Sequence, residues 1–203
     1  MLAVPCPGGP AGGCPRAPRQ GGARPLTDST ATASRVPPEV ETERLLLRQW
    51  RDSDLDAYAE LLADPRVMRF LGDGATADRN DAWRHMALHA GAWSLRGFSH
   101  WAVELRASGE FVGRLGPWFP EGWPSLEIGW VIAPRHQGRG YATEGARAAL
   151  RVAHEHIDKH VISLIRPGNE PSAAVARKLG GTLERTIDFM GGPTWGYAYP
   201  PPR

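Results

Sequence analysis

The sequence has little cysteine, no long apolar segment and almost no net charge. Its two cysteines, Cys6 and Cys14, lie near the N-terminus with no histidine close by, which argues against a disulfide framework and a structural zinc site. No stretch is long and apolar enough to span a bilayer, and the N-terminus lacks the apolar core of a secretory signal. We therefore expect a cytoplasmic protein with free thiols, no bound metal and no membrane association.

The net charge of +2 is distributed unevenly along the chain. Residues 1–38 contain four arginines but only one acidic residue, Asp28, so the rest of the chain carries a net charge of −1. A near-neutral folded part lacks the basic surface that nucleic-acid binding requires. Nucleic acid is therefore not expected as a partner.

Proline, glycine and small polar residues dominate the first 38 residues, which contain almost nothing large and apolar. Such a segment cannot bury enough surface to offset the entropy of ordering it. We predict a disordered tail over residues 1–38 and a single domain over residues 39–203, because a chain of 203 residues has room for one substantial core.

Beyond the tail, the apolar pattern alternates between helical and strand spacing, which predicts an α+β fold. An apolar face made of Trp83, Met86, Ala87 and Ala90 indicates the second helix. The other helices are predicted to begin near residues 52–54, at residues 138–140 and near Pro171. The predicted strands cover residues 43–49, 100–105, 110–115, 126–132, 161–165, 182–188 and 195–199.

The segment from Val131 to Glu144 runs from a strand through a glycine-bearing turn into a helix. The first amides of a helix have no intrahelical acceptor and bind anions, and Gly138 and Gly140 let a ligand approach the backbone. A phosphate-binding loop of the nucleotide hydrolases would need a lysine and a hydroxyl residue after the second glycine. A dinucleotide-binding turn would need parallel strands before it, whereas an antiparallel meander is predicted here. The turn is therefore predicted to bind a diphosphate in a fold that differs from both of these.

Gln137, Gly140 and Ala142 follow a strand that ends in Pro134, and this spacing is similar to the acetyl-CoA signature of the GNAT superfamily of N-acetyltransferases. The run of residues 138–144 and the later sequence Asn-Glu-Pro-Ser at residues 169–172 resemble the RimJ/RimL-like branch, which acetylates ribosomal-protein N-termini. The opening ETERLLLR, residues 41–48, is similar to the first strand of that branch. The resemblance spans about residues 41–180.

This resemblance implies a GNAT fold, in which a mixed, mostly antiparallel sheet splays at its middle and has helices on both faces. It implies acetyl-CoA as co-substrate, with the pyrophosphate on the amides of residues 138–143. The pantetheine arm would pair with residues 130–132, where the last two strands of the sheet's first half splay apart, and would receive a hydrogen bond from Asn169. The implied cofactor-binding residues are Trp130, Val131, Ile132, Gln137, Gly138, Arg139, Gly140, Tyr141, Ala142, Thr143 and Asn169. Arg135 and Arg139 either add positive charge near the phosphates or are solvated surface residues.

Acetylation of an amine requires a base, a donor to the oxyanion and, in some enzymes, an acid for the leaving thiol. Glu127 is the candidate base, acting through water; alternatively it only orients the substrate. An amide near Val131 is the candidate oxyanion donor. Many superfamily members have a tyrosine acid where this chain has Ala176, so Ser172 is the substitute candidate. Ser172 could instead only satisfy backbone groups of its helix, and the acid could be dispensable because proximity supplies most of the rate.

The function expected from these residues is transfer of an acetyl group from acetyl-CoA to a primary amine by direct attack in a ternary complex. The amine is a peptide N-terminus or a small molecule, and a homodimer is left open. The alternative is a non-catalytic CoA-binding module of the same fold. Retention of Glu127 beside the complete glycine turn favours the enzyme.

Overall fold

An eight-stranded sheet forms the centre of the computed structural model, which describes residues 36–157 and 159–201. Its order is β1-β2-β3-β4-β5-β6-β8-β7, and neighbouring strands are antiparallel except for the parallel pair β5 and β6. The strands are β1 Val40–Glu41, β2 Leu45–Arg48, β3 Trp101–Leu105, β4 Phe111–Trp118, β5 Leu126–Ile132, β6 Val161–Ile165, β7 Thr182–Asp188 and β8 Pro193–Tyr199. The predicted strands are therefore present, with β1 as an addition.

In the described part of the chain, five α-helices cover both faces of this sheet: α1 Leu55–Ala63, α2 Pro65–Met68, α3 Arg79–Arg96, α4 Tyr141–His156 and α5 Glu170–Lys178. On one face α4 and α5 pack against a core that includes Leu126 and Ile128. On the other face α1, α2 and α3 pack against Ala102 and Val131. Because side chains alternate between the faces of a strand, β5 contributes to both cores. The expected α+β fold, with a mostly antiparallel sheet between helices, is confirmed.

The sheet opens between β5 and β6, one strand later than the expected opening between β4 and β5. Strands β4 and β5 stay paired from Trp118 and Glu127 to Gly113 and Ile132, so the first half of the sheet does not splay. Strands β5 and β6 instead pair only through Leu126 with Val161 and the residues that follow them. Beyond that point β6 follows its antiparallel partner β8, and β5 keeps a free edge. The gap therefore separates the two halves of the sheet.

Helix α3 buries a different face from the one expected. Trp83 is 51% exposed, and Ala87 and Ala90 are exposed as well. The buried residues of the helix are Ala82, Met86 and His89. The apolar pattern predicted the wrong face because the buried residues include a histidine, His89. This side chain hydrogen-bonds Ser99 and stacks on Trp50.

The folded part begins before the predicted boundary at residue 39. Val36 is a buried member of the core, and the indole nitrogen of Trp101 donates a hydrogen bond to the Pro37 carbonyl at 3.3 Å. Residues 36–38 therefore belong to the domain, because a buried tryptophan needs a partner for its N–H group. The rest of the predicted tail, with Cys6 and Cys14, lies outside the described residues.

No helix in the described part of the chain is long and apolar enough to cross a membrane. Within residues 36–157 and 159–201, no group of three or more histidine, cysteine, aspartate or glutamate side chains is arranged to bind a metal ion.

Candidate active site

The glycine turn brings a row of backbone amides to the start of α4. Gly138 and Gly140 have φ angles of 76° and 83°, which favour glycine, and Gly140 is the N-cap residue. No side chain caps the helix, and its first hydrogen bond joins the Glu144 amide to the Gly140 carbonyl. The amides of residues 141–143 therefore lack an intrahelical acceptor and form an anion site.

Arg44, which the sequence reasoning missed, is anchored beside this turn. Its guanidinium lies 4.7 Å from the centre of the Tyr141 ring, donates to the Arg139 carbonyl at 3.1 Å and forms an ion pair with Glu144 at 2.6 Å. These contacts position a cation at the glycine turn. Arg135 is also paired with a carboxylate, that of Glu110, at 3.0 Å.

The free edge of β5 presents only part of the segment that was expected to meet the pantetheine arm. The Val131 carbonyl points towards β4, because it lies 2.1 Å from where a Cβ on Gly113 would stand. Peptide groups alternate in direction along a strand, so the amide and carbonyl of Trp130 face the gap. The Ile132 carbonyl accepts a hydrogen bond from the Gln137 side chain at 2.9 Å. The Trp130 amide therefore faces the gap, whereas the Val131 amide does not.

A hydrogen-bonded chain closes the narrow end of the gap. The Tyr199 hydroxyl donates to Ser163 Oγ at 2.8 Å, and the Ser163 hydroxyl donates to the Ile128 carbonyl at 2.6 Å. Burial raises the pKa of Tyr199 to about 12, so it remains a neutral donor. The sequence signal for this feature is a serine within the apolar strand β6, which was not singled out.

Asn169 and Ser172 lie across the gap, at the start of α5. The Asn169 side chain accepts a hydrogen bond from the Ser172 amide at 3.3 Å and caps the helix. Ser172 Oγ accepts from the Trp130 indole at 3.4 Å. Because Asn169 is the capping residue, the Ser172 hydroxyl is not needed to satisfy the backbone and its proton can be donated elsewhere.

Glu127 projects from the opposite face of β5. The Trp123 indole donates to its Oε2 atom at 2.7 Å. Burial raises the pKa of the Glu127 carboxyl, while the hydrogen bond from Trp123, the charge of Arg114 and a backbone hydrogen bond from Leu164 oppose this effect. A buried carboxyl with a raised pKa is suited to accept a proton near neutral pH.

A cavity of about 540 Å³ passes through the gap and joins these groups. Glu127 and Trp123 line it on one side of the sheet, and Asn169 and Ser172 line it on the other, with Trp130 and Val131 between them. The residues of the glycine turn do not line this cavity. Its size is that of a small-molecule site.

Three histidines and an arginine in this cavity were not found from the sequence: His85, His89, His100 and Arg114. His85 and His89 are four residues apart on α3, a spacing that signals one helix face. Arg114 and His100 hydrogen-bond each other. Burial is the main cause that lowers the pKa of all three histidines, to about 3 for His85, so they are neutral at pH 7.

A comparison with known families agrees with this geometry, since residues 44–182 match the family model described as the Acetyltransferase (GNAT) domain. The chain belongs to the GNAT acetyltransferase family. It is an acetyl-CoA-dependent N-acetyltransferase. The sequence is 30% identical to the N-acetyltransferase YnaD of Bacillus subtilis over 142 residues, which are 70% of this chain and 81% of YnaD.

Solved structures show the same fold. The acetyltransferase from Agrobacterium tumefaciens is 32% identical, with a TM-score of 0.72, and the match covers 80% of this GNAT chain and 94% of that protein. RimL, a ribosomal L7/L12 alpha-N-protein acetyltransferase solved with coenzyme A, has a TM-score of 0.66 at 19% identity, with 81% and 97% covered. The resemblance to the RimJ/RimL-like branch is thus confirmed for the fold.

Proposed function

We propose that this protein transfers the acetyl group of acetyl-CoA to a primary amine, by direct attack while both substrates are bound. The observation that carries the proposal is the cavity through the gap between β5 and β6, because it opens to Glu127 on one side and to Ser172 on the other. An amine and a thioester that enter from opposite faces would meet at Trp130. Such positioning supplies a large share of the rate in a two-substrate reaction.

The residues at the gap and the turn fit acetyl-CoA, which supplies an activated acetyl thioester when it is bound. The amides of residues 141–143 and the cation of Arg44 suit the diphosphate. Apart from Gly138 and its two chain neighbours, no atom of the described residues lies within 4 Å of the point where a Cβ on Gly138 would stand, so the backbone is open to a ligand there. The outward carbonyl of Trp130 and the side chain of Asn169 suit the amides of the pantetheine arm.

Glu127 takes the proton of the amine in this proposal, directly or through water. An ammonium group cannot attack a carbonyl, and a carboxylate with a raised pKa accepts its proton more readily than an ordinary one. The Trp130 amide donates to the developing oxyanion. The Ser172 hydroxyl, whose oxygen accepts from the Trp130 indole, donates its own proton towards the leaving sulfur.

Relatives of this chain are named for different amine acceptors. A protein of Aspergillus fumigatus is named FsC-acetyl coenzyme A-N(2)-transacetylase, and it is 30% identical over 164 residues, which are 74% of this chain and 67% of that protein. RimL is named for a ribosomal protein N-terminus. These names support an amine as the acceptor. They are compatible with two classes of acceptor, a small molecule and a peptide N-terminus.

The test compares Glu127→Gln with Glu121→Gln, which makes the same chemical change at a fully exposed position in the loop before β5. Thiol release is followed with acetyl-CoA and a panel of amines from pH 6 to pH 10. We expect Glu127→Gln to bind acetyl-CoA normally and to lower kcat by about 10²–10⁴-fold, with part of the loss recovered at high pH where the amine is already deprotonated. Glu121→Gln should behave as the parent.

Two results would contradict the proposal. If the parent protein acetylates no amine in the panel although it binds acetyl-CoA, the chain is a binding module. If Glu127→Gln matches the parent at every pH, transfer does not depend on this carboxylate as a base.

A further inference from the structure

Arg114 of β4 lines the same cavity as Glu127. This arginine has no carboxylate partner among the described residues. Within the described part of the chain, no aspartate or glutamate oxygen lies within 4 Å of its guanidinium nitrogens. Its Nη1 group donates to His100, and the arginine also interacts with the Tyr58 hydroxyl. Its buried Nε group has no hydrogen-bond partner among the described residues. A buried N–H group without a partner is costly unless a ligand satisfies it.

His100 extends this donor surface towards Glu127. Its Nδ1 atom accepts the hydrogen bond from Arg114, so the ring proton of the neutral imidazole is on Nε2. That Nε2–H group is buried without a partner in residues 36–157 and 159–201, and its nitrogen lies 2.9 Å from where a Cβ on Gly129 would stand. Glu127 Oε1 lies 3.5 Å from the same point. His100 therefore packs closely over Gly129, and its Nε2–H group and the Glu127 carboxylate both lie near this glycine.

The other charged groups of the cavity do not neutralise Arg114. His85 and His89 have lowered pKa values because they are buried, and they are uncharged at pH 7. Asp81 is exposed at the rim and paired with Arg84. Arg166 is a second cation, but all its hydrogen bonds go to backbone carbonyls and to Thr194, so it secures the loop before β8.

We propose that the acceptor is a small amine that also carries a carboxylate, as an amino acid does. This inference rests on the proposed function and names the acceptor class. The ammonium group faces Glu127, and the carboxylate receives hydrogen bonds from Arg114 and from His100 Nε2. The ligand lies in the cavity that His100, Arg114, Glu127 and Gly129 line together. An arginine is suited to this task because its planar fork matches a carboxylate.

A simpler role for Arg114 is to keep Glu127 ionised, since its charge acts to lower the pKa of that carboxyl. That role would affect the acetylation of every amine equally. Recognition of a carboxylate would instead change the ratio between a ligand that has a carboxylate and a matched ligand that lacks it.

The experiment measures binding of reaction products, so that it does not depend on turnover. In the presence of CoA, the N-acetyl derivatives of glycine, leucine and phenylalanine are titrated calorimetrically, each beside its neutral carboxamide. We expect at least one carboxylate to bind about tenfold or more tightly than its carboxamide, as hydrogen bonds to a charged group do. In Arg114→Gln this ratio should fall to about one while CoA affinity is unchanged. Arg151→Gln, an exposed arginine of α4, should keep the parent ratio.

The inference is overturned if the parent binds no carboxylate more tightly than its carboxamide, or binds neither ligand of any pair. It is also overturned if Arg114→Gln keeps the carboxylate preference of the parent. Efficient acetylation of neutral amines with no carboxylate preference in binding would overturn it and leave the proposed function intact. Carboxylate-selective binding without acetylation of any amine would support it and overturn the proposed function.

Discussion

The free energy of unfolding should already decrease at mildly acidic pH, before carboxyl groups are protonated. The reason is that the histidines of the cavity are buried in their uncharged form. The pKa of His85 is lowered from 6.5 to about 3, first by burial and then by the charge of Arg114. Between those two values the unfolded chain binds a proton that the folded protein does not. The free energy of unfolding therefore decreases as the pH falls below about 6.5, and the decrease continues to about pH 3.

The size of the effect follows from this shift. At pH 5 the pH lies about 1.5 units below the pKa of His85 in the unfolded chain. Protonation of the unfolded chain therefore lowers the free energy of unfolding by about 2 kcal/mol. For a domain of this size that corresponds to a Tm lower by about 4–8 °C. His89 and His100 shift in the same direction and add to the loss. Glu127 opposes it, because its raised pKa lets the folded protein take up a proton first.

The assay is urea unfolding followed by circular dichroism at pH 7, 6 and 5, on the parent, His85→Gln and Met86→Ala. His85→Gln should lose about 2 kcal/mol less than the parent between pH 7 and pH 5, because the titrating group is gone. Met86 is its buried, non-titrating neighbour on α3, so Met86→Ala should be less stable at every pH with the parent's pH dependence. Parallel pH profiles for the parent and His85→Gln would refute the reasoning.

Two further predictions concern the N-terminal boundary and the glycine turn. Deletion of residues 1–35 should leave the Tm nearly unchanged, whereas deletion of residues 1–38 should cost about 1–3 kcal/mol, since it removes buried Val36 and the partner of the Trp101 indole; equal Tm values for the two proteins would contradict the boundary. Thr143→Glu should raise the Kd for CoA by about tenfold, measured by calorimetry, with no loss of helix stability, because a negative charge in the first turn of α4 suits the helix but repels a diphosphate; an unchanged Kd would mean that the diphosphate binds elsewhere.

Local patterns were enough to locate most secondary structure. The alternation of apolar residues in β5 and the glycines before α4 are short-range signals, and the structure has both elements where they were predicted. The buried face of α3 could not be predicted in this way, because its stripe includes His89, whose partners Ser99 and Trp50 come from other elements. Residues 36–38 were assigned to the tail for a similar reason, since their partner Trp101 lies far along the chain.

The sequence by itself determined the glycine turn and the strand that carries Glu127, because each depends on residues close together in the chain. It also indicated the family, through motifs that follow one another in order between about residues 41 and 180. Only the tertiary structure decided where the sheet opens, since that depends on β6 pairing with β8 instead of following β5. Strand register also decides that the Trp130 amide, and not that of Val131, faces the gap. The meeting of Arg114, His100 and Glu127 in one cavity needs β4, β5 and the residue before β3 to lie in register, and no local pattern encodes that pairing.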